Sequence, residues 1–276
     1  MVEGPRRLVV ALDTKTGEEK WRTERPGGTS WTTPIIVATE AGAQAIVGTR
    51  KTTAYDVETG KVLWSSGEDV DGFGGGTIPS PVHSDGLVLV VAGGRRGALS
   101  AVRIAASEGE ERVAWTHSGD TPQVASPIVY DGLVYMIKSN TGMLSALDLK
   151  TGEVKYGPER MAGLGNTYAS PVATSGRLYF ADRDGVVEVI AAGPEFKSLA
   201  VNTLEEAATH RPRSWATSSS CARSPTSTAS RSRSVRPAYS FVVALSPRSM
   251  PLPATSSSTM PRQWSCEARV TRTRPL

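Results

Sequence analysis

Ser126-Pro127-Ile128-Val129-Tyr130-Asp131-Gly132-Leu133-Val134-Tyr135-Met136 opens the stretch that decides the fold. It continues as Gly142-Met143-Leu144-Ser145-Ala146-Leu147-Asp148, then Thr151-Gly152-Glu153-Val154-Lys155-Tyr156. An apolar, β-branched run just after a proline is where a strand begins, because proline is tolerated at a strand's first residue. Asp131-Gly132 between two such runs is a tight-hairpin signal. Thr151-Gly152 marks a second turn, with glycine supplying positive φ. The stretch therefore reads as four short strands.

The same unit recurs. Its prolines are Pro34, Pro81, Pro127 and Pro171, spaced by 47, 46 and 44 residues. The third strand repeats as Ala11-Leu12-Asp13, Ala54-Tyr55-Asp56, Ala101-Val102-Arg103 and Ala146-Leu147-Asp148, with a weaker copy at Glu188-Val189-Ile190. The turn that follows is Thr16-Gly17, Thr59-Gly60 or Thr151-Gly152, and the next aromatic is Trp21, Trp64, Trp115 or Tyr156. The copy around Ala101 replaces the turn with a longer segment, 105–112. A period in the forties with four strands per unit is the signature of a propeller blade. One blade cannot bury both faces alone, so blades stack on one another. Trp21, Trp64, Trp115 and Tyr156, with Gly17, Gly60 and Gly152, are the expected blade-docking residues, large flat side chains wedged between neighbours. No amphipathic helical stretch interrupts residues 1–206. The expected fold is all-β: a β-propeller of four-stranded antiparallel blades, an incomplete ring of about four to five, followed by a C-terminal tail.

The pattern Ala-x-Asp-x-x-Thr-Gly-x-x-x-Trp, as in Ala11–Trp21 and Ala54–Trp64, with Ser-Pro openings at Ser80 and Ser126, resembles the PQQ-like β-propeller repeat family. The resemblance covers roughly residues 8–204. It implies one of two function classes. One is the quinoprotein alcohol dehydrogenases, which use pyrroloquinoline quinone and calcium. The other is the non-catalytic propellers, including an outer-membrane assembly lipoprotein. The dehydrogenases carry an adjacent Cys-Cys pair, and residues 1–206 contain no cysteine. Asp182, Asp184 and Glu188 are close enough to suggest calcium ligands. Asp182-Arg183-Asp184-Gly185 is, however, also what a strand turn uses. The resemblance further implies export to the periplasm or outside the cell, although the chain opens on no signal-peptide pattern. No run reaches the apolar length of a membrane span.

Composition divides the chain at about residue 206. Residues 207–276 hold eleven Arg, sixteen Ser, one acid (Glu267) and neither Lys nor Gly, so their net charge is 11 − 1 = +10. Residues 1–206 then hold 31 − 11 = 20 basic and 27 − 1 = 26 acidic residues, a net of −6. Residues 1–206 are expected to be the repeats, with the first blade lacking its first two strands. Residues 207–276 are expected to be disordered or a frameshift product. Reading the codons of His210–Ser230 from each third base permits Ser-Pro-Ala-Ile-Val-Gly-Asp-Glu, another blade opening. Cys221 and Cys266 both lie in this segment and say little about redox compartment. An Arg-rich tail is also a nucleic-acid candidate, but no specific nucleic-acid partner is expected. A partial ring with open strand edges is expected to be poorly soluble.

No nucleophile elbow, phosphate loop or Cys/His zinc pattern is present. His83 and His117 could act as general bases, yet neither has a nucleophile or carboxylate spaced beside it, which favours surface positions. Loops on a rigid scaffold carry function. The loops entering each blade's first strand, 27–33, 69–79, 118–124 and 163–168, offer the candidate binding-face residues Trp31, Thr32, Asp71, Phe73, Asp120, Gln123, Asn166 and Tyr168. The expected function is a non-catalytic binding or scaffold module for a protein or extended ligand, with no catalytic residue, metal or cofactor. The alternative is part of a quinone-dependent alcohol dehydrogenase, with pyrroloquinoline quinone and calcium.

Overall fold

A computed structural model of the chain describes residues 8–25, 30–48, 51–67, 77–92, 97–106, 110–138 and 141–204, and the backbone of 241–245. The described residues are all-β, with no helix among them. Strands β1 (Leu8–Asp13) and β2 (Glu19–Glu24) form a hairpin. Four four-stranded antiparallel sheets follow in chain order. The first contains β3 (Ile35–Thr39), β4 (Gly42–Val47), β5 (Lys51–Asp56) and β6 (Val62–Gly67). The next contains β7 (Val82–Ser84), β8 (Leu87–Ala92), β9 (Ala98–Arg103) and β10 (Val113–Ser118). Then come β11 (Ile128–Tyr130), β12 (Leu133–Lys138), β13 (Met143–Asp148) and β14 (Val154–Arg160). The last contains β15 (Val172–Thr174), β16 (Arg177–Ala181), β17 (Val186–Ala191) and β18 (Ser198–Thr203). Within each sheet the strands pair in chain order, and β3, β7, β11 and β15 neighbour one another in succession. These are the blades of a propeller, each with its first strand innermost.

The strand β19 (Phe241–Leu245) lies inside the Arg/Ser-rich segment and pairs in parallel with β1, from Val9 opposite Phe241 to Asp13 opposite Leu245. It occupies the edge of β1 where the second strand of a full blade would pair antiparallel. The rest of residues 207–276 lies outside the described residues.

The hairpins that join first to second strands turn on Asp85-Gly86 (φ 48° and 75°), Asp131-Gly132 (51° and 75°) and Ser175-Gly176 (48° and 72°). Two consecutive positive φ values make the primed turn whose twist matches that of paired strands. Middle strands read as near-continuous apolar runs because both faces are covered. Val134 and Met136 face one neighbouring blade, packing with Leu89, Val91 and Leu99. Tyr135 and Ile137 face the other, packing with Leu178, Phe180 and Ile190. The same alternation sends Ala45 and Val47 toward Val9 and Trp21, and Ile46 toward Val88 and Val90. Four successive cores result, one between each pair of adjacent blades.

The outer turns lock these interfaces. In Asp56-Val57-Glu58-Thr59-Gly60, Asp56 Oδ1 accepts from Thr59 Oγ1 at 2.7 Å, Thr59 N at 2.8 Å and Glu58 N at 3.1 Å. Asp148 Oδ1 accepts in the same way from Lys150 N and Thr151 N, both at 3.0 Å, and from Thr151 Oγ1 at 3.1 Å. The aromatic of each blade then sits on the turn of the next. Trp21 Nε1 donates to Val57 O at 2.8 Å, and Trp115 Nε1 donates to Leu149 O at 2.9 Å. A Cβ added to Gly60 would lie 2.5 Å from the Trp21 ring, and one on Gly152 would lie 2.6 Å from the Trp115 ring. Glycine is therefore required there twice over, by positive φ and by the indole against it.

Two clasps differ because the turn differs. Trp64 meets the 105–112 replacement, where Arg112 lies over its ring at 4.7 Å and donates to Arg103 O and Ile104 O, each at 2.8 Å. Its indole N–H goes instead to Gln44 Oε1 at 2.9 Å. Tyr156 packs at a ring separation of 6.0 Å on Phe196, and burial pushes its hydroxyl pKa upward. At this last interface Tyr135 and Tyr130 supply the polar link, accepting from Gly193 N and Gly176 N at 2.8 Å each.

Candidate functional site

The loops that enter the innermost strands are laced to one another. Thr33 N donates to Ser80 Oγ, Ser80 N to Ser126 Oγ, and Ser126 N to Ser170 Oγ, each at 2.9 Å. Each donor and acceptor is the residue before a blade's proline. That placement follows from chemistry: proline bends the chain into the strand, and the serine before it turns its hydroxyl to the preceding blade. Trp31 N also donates to Thr77 O at 2.9 Å. The loop face is thereby held as one array.

Within it, the residue three places before each proline is Trp31, Ile78, Val124 or Tyr168. Trp31 is 50% exposed, and Ile78 and Tyr168 are 37% exposed each; Val124 is half-buried. The residue one place earlier is Ser30, Thr77, Gln123 or Thr167, and Ser30, Thr77 and Thr167 are buried. Three of these loops thus pair a small polar residue turned in with an apolar one turned out, and the loop of Gln123 and Val124 does not.

The other candidates fall in different settings. Thr32 is buried, and its Oγ1 donates to Gly48 O at 2.8 Å, so it fastens the loop rather than facing outward. Asp120 is half-buried with φ 45° and is ion-paired to Lys138 at 2.8 Å. Gln123 is exposed. Asn166 Oδ1 and Thr167 Oγ1 are buried without a hydrogen-bond partner. Asp71 and Phe73 lie outside the described residues. Trp31 and Tyr168 belong to loops of different blades and share an equivalent position rather than a common contact.

Two buried carboxylates support the loop at 163–168. Glu188 is fully buried; its Oε1 accepts from Ser198 Oγ at 2.8 Å and its Oε2 from Gly163 N at 3.3 Å. Asp182 is 2% exposed; its Oδ1 accepts from Asp184 N and Val186 N at 2.9 Å each, and its Oδ2 from Gly165 N at 3.2 Å. These oxygens accept from protein donors, so the carboxylates act as a turn cap and a loop anchor. Among the described residues no group of three or more His, Cys, Asp or Glu is arranged to hold a metal. Arg183 lies with its guanidinium 4.9 Å from the Tyr168 ring centre, and its backbone N–H donates to Asn166 O at 3.1 Å. His83 on β7 has a pKa lowered by partial burial, an effect the charge of Asp85 opposes.

Sequence reasoning missed the hydroxyls of Ser80, Ser126 and Ser170, although the recurring Ser-Pro pair was a visible signal for them. It also missed Arg183, on the turn between the second and third strands of the last blade.

Blades of four antiparallel strands, joined in chain order and clasped by aromatics on Thr-Gly turns, define a β-propeller of PQQ-like repeats. A family profile described as "Outer membrane protein assembly factor BamB" matches residues 5–227, and the chain belongs to that family. No curated protein matches the chain. Among solved structures it is similar to BamB from Moraxella catarrhalis, at 17% identity and TM-score 0.42, covering 74% of this chain and 72% of that one. It is also similar to quinohemoprotein alcohol dehydrogenase from Comamonas testosteroni, at 15% identity and TM-score 0.50, covering 70% and 39%. A europium-containing methanol dehydrogenase matches at 15% identity and TM-score 0.45, covering 71% and 47%. This chain spans well under half the length of the alcohol dehydrogenase, and at 15% identity that likeness concerns the fold alone. No described helix is long and apolar enough to cross a membrane.

Proposed function

We propose that the chain is a non-catalytic propeller module that binds a protein partner through the loop face, in the periplasm or at the outer membrane. The observation that carries this reading is the equivalent, outward position of Trp31, Ile78 and Tyr168 on loops tied together by the serine array. Large apolar side chains held outward on a rigid frame are what protein interfaces use. The family's name, an assembly factor, agrees with such a role. The alternative is part of a quinone-dependent dehydrogenase; Asp182 and Glu188, its nearest calcium-ligand candidates, are engaged in holding the chain's own backbone and Ser198.

The test is photo-crosslinking in an envelope preparation from a cell that makes the protein. A photoreactive residue at position 31 or 168 is expected to capture one and the same protein, while one at the exposed outer-strand position Leu63 does not. Equal capture from all three positions rejects the loop face. Saturable quinone and calcium binding with dye-linked alcohol oxidation rejects the non-catalytic role.

A further inference from the structure

Arg183 lies on the turn between β16 and β17. It is exposed, and among the described residues no carboxylate pairs with it. Its guanidinium carbon lies over the Tyr168 ring, 4.9 Å from the ring centre. Lys138, by contrast, is already neutralised by Asp120 at 2.8 Å. Stacking on an aromatic face leaves the N–H edge of a guanidinium free and fixes its plane, and that edge matches a carboxylate bidentately.

The loop beneath the pair is tied down at several points. Glu188 takes the N–H of Gly163 and Asp182 takes that of Gly165, so two buried carboxylates hold the segment leading to Tyr168. Arg183 N to Asn166 O, at 3.1 Å, ties the Arg183 turn to the same segment. Asp182 also caps its own turn through Asp184 N and Val186 N. Tyr168 and Arg183 therefore present one preset surface, half apolar and half cationic. A Cβ on Gly163 would fall 2.7 Å from Val201, so glycine is what lets the segment lie this close to β18.

We propose that Tyr168 and Arg183 form the specificity-determining corner of the loop face, and that the partner segment it takes carries an acidic side chain beside an apolar one. The apolar residue lies against Trp31, Ile78 or Tyr168, and the carboxylate forks onto Arg183. This inference rests on the proposed protein-binding role and adds the chemistry of the partner to it. A preoriented guanidinium loses little freedom on pairing, so the contact favours acidic over neutral segments of the same shape.

The test uses the full chain and two N-acetylated, C-amidated octapeptides, one alternating Asp and Leu and the other alternating Asn and Leu, measured by fluorescence anisotropy at low and high salt. The acidic peptide is expected to bind at least about tenfold more tightly than its Asn counterpart. That preference is expected to shrink with salt, to vanish in Arg183→Gln, and to survive in Tyr168→Phe, which keeps the stack. Equal binding of both peptides, an unchanged preference in Arg183→Gln, or no saturable binding of the acidic peptide overturns the acidic-partner inference. None of these outcomes touches the wider protein-binding role, which stands or falls on the crosslinks from positions 31 and 168. A matching melting temperature for Arg183→Gln separates recognition from loss of fold.

Discussion

The backbone N–H of Ser80 donates to Oγ of Ser126 at 2.9 Å, so a hydroxyl of one blade satisfies the amide of the blade before it. Ser126 N then repeats the gesture on Ser170. The serine is both strand opener and inter-blade fastener. Ser126→Ala leaves the Ser80 amide without its acceptor at a half-buried site, and it should cost about 1–3 kcal/mol. Chemical denaturation of the variant, with an unchanged m-value, is the measurement. A cost below a few tenths of a kcal/mol would show that water replaces the hydroxyl.

Gly17 and Gly60 have nearly the same φ, 75° and 72°, but different surroundings. Nothing lies within 4 Å of a Cβ on Gly17, whereas one on Gly60 meets the Trp21 ring at 2.5 Å and Thr23 Oγ1 at 2.9 Å. Gly17→Ala should therefore cost only the left-handed backbone penalty, about 1–2 kcal/mol. Gly60→Ala should cost that plus about 1–3 kcal/mol for overpacking. The difference between the two melting shifts isolates the clasp, and equal shifts would deny it.

Acid should loosen the outer turns. Asp13 is held below the ordinary 3.8 first by the Lys15 N–H, Asp56 first by the Thr59 side chain, and Asp148 first by the Thr151 N–H. Because the folded pKa values are lowered, the stability these groups contribute is fully present above the unfolded value. It is lost as pH falls through the lower folded values. Urea midpoints should thus fall as pH drops below about 4. Asp→Asn at all three positions keeps an acceptor oxygen but removes the titration, so its decline should be shallower. An identical acid slope would place the loss elsewhere.

Arg112 does for Trp64 what a Thr-Gly turn does for Trp21 and Trp115. Arg112→Ala removes both the stack at 4.7 Å and the two bonds to Arg103 O and Ile104 O. A loss of about 1–3 kcal/mol is expected, with tryptophan emission shifted to the red as Trp64 gains water. A Trp64→Phe background should abolish the spectral change while leaving some of the stability loss.

Much of this architecture was legible in local chemistry. The proline spacings of 47, 46 and 44 residues recur as the sequence separations of the serine hydrogen bonds. Asp-Gly pairs announced the primed turns because few residues accept two positive φ values in a row. The tryptophans announced themselves by period. What resisted was everything set by a neighbour. Thr32 sits on a loop that sequence marks as exposed, yet its hydroxyl is drawn in by Gly48 O. Asp182 has the signature of a turn, and its second oxygen's grip on Gly165 depends on how two blades meet. Arg112 belongs to a stretch that only breaks the pattern, with no sign that it restores the missing contact. The parallel pairing of β19 with β1 joins residues more than two hundred positions apart, and no turn chemistry specifies it.

Val134 and Tyr135 are consecutive residues that report to different cores, one to the blade behind and one to the blade ahead. The molecule therefore behaves energetically as a row of dominoes, each standing only because of the two beside it. Damage at one interface should travel by contagion to its immediate neighbours and fade beyond them. Native-state hydrogen exchange should accordingly fall into graded steps from blade to blade, with β12 and β13 opening last.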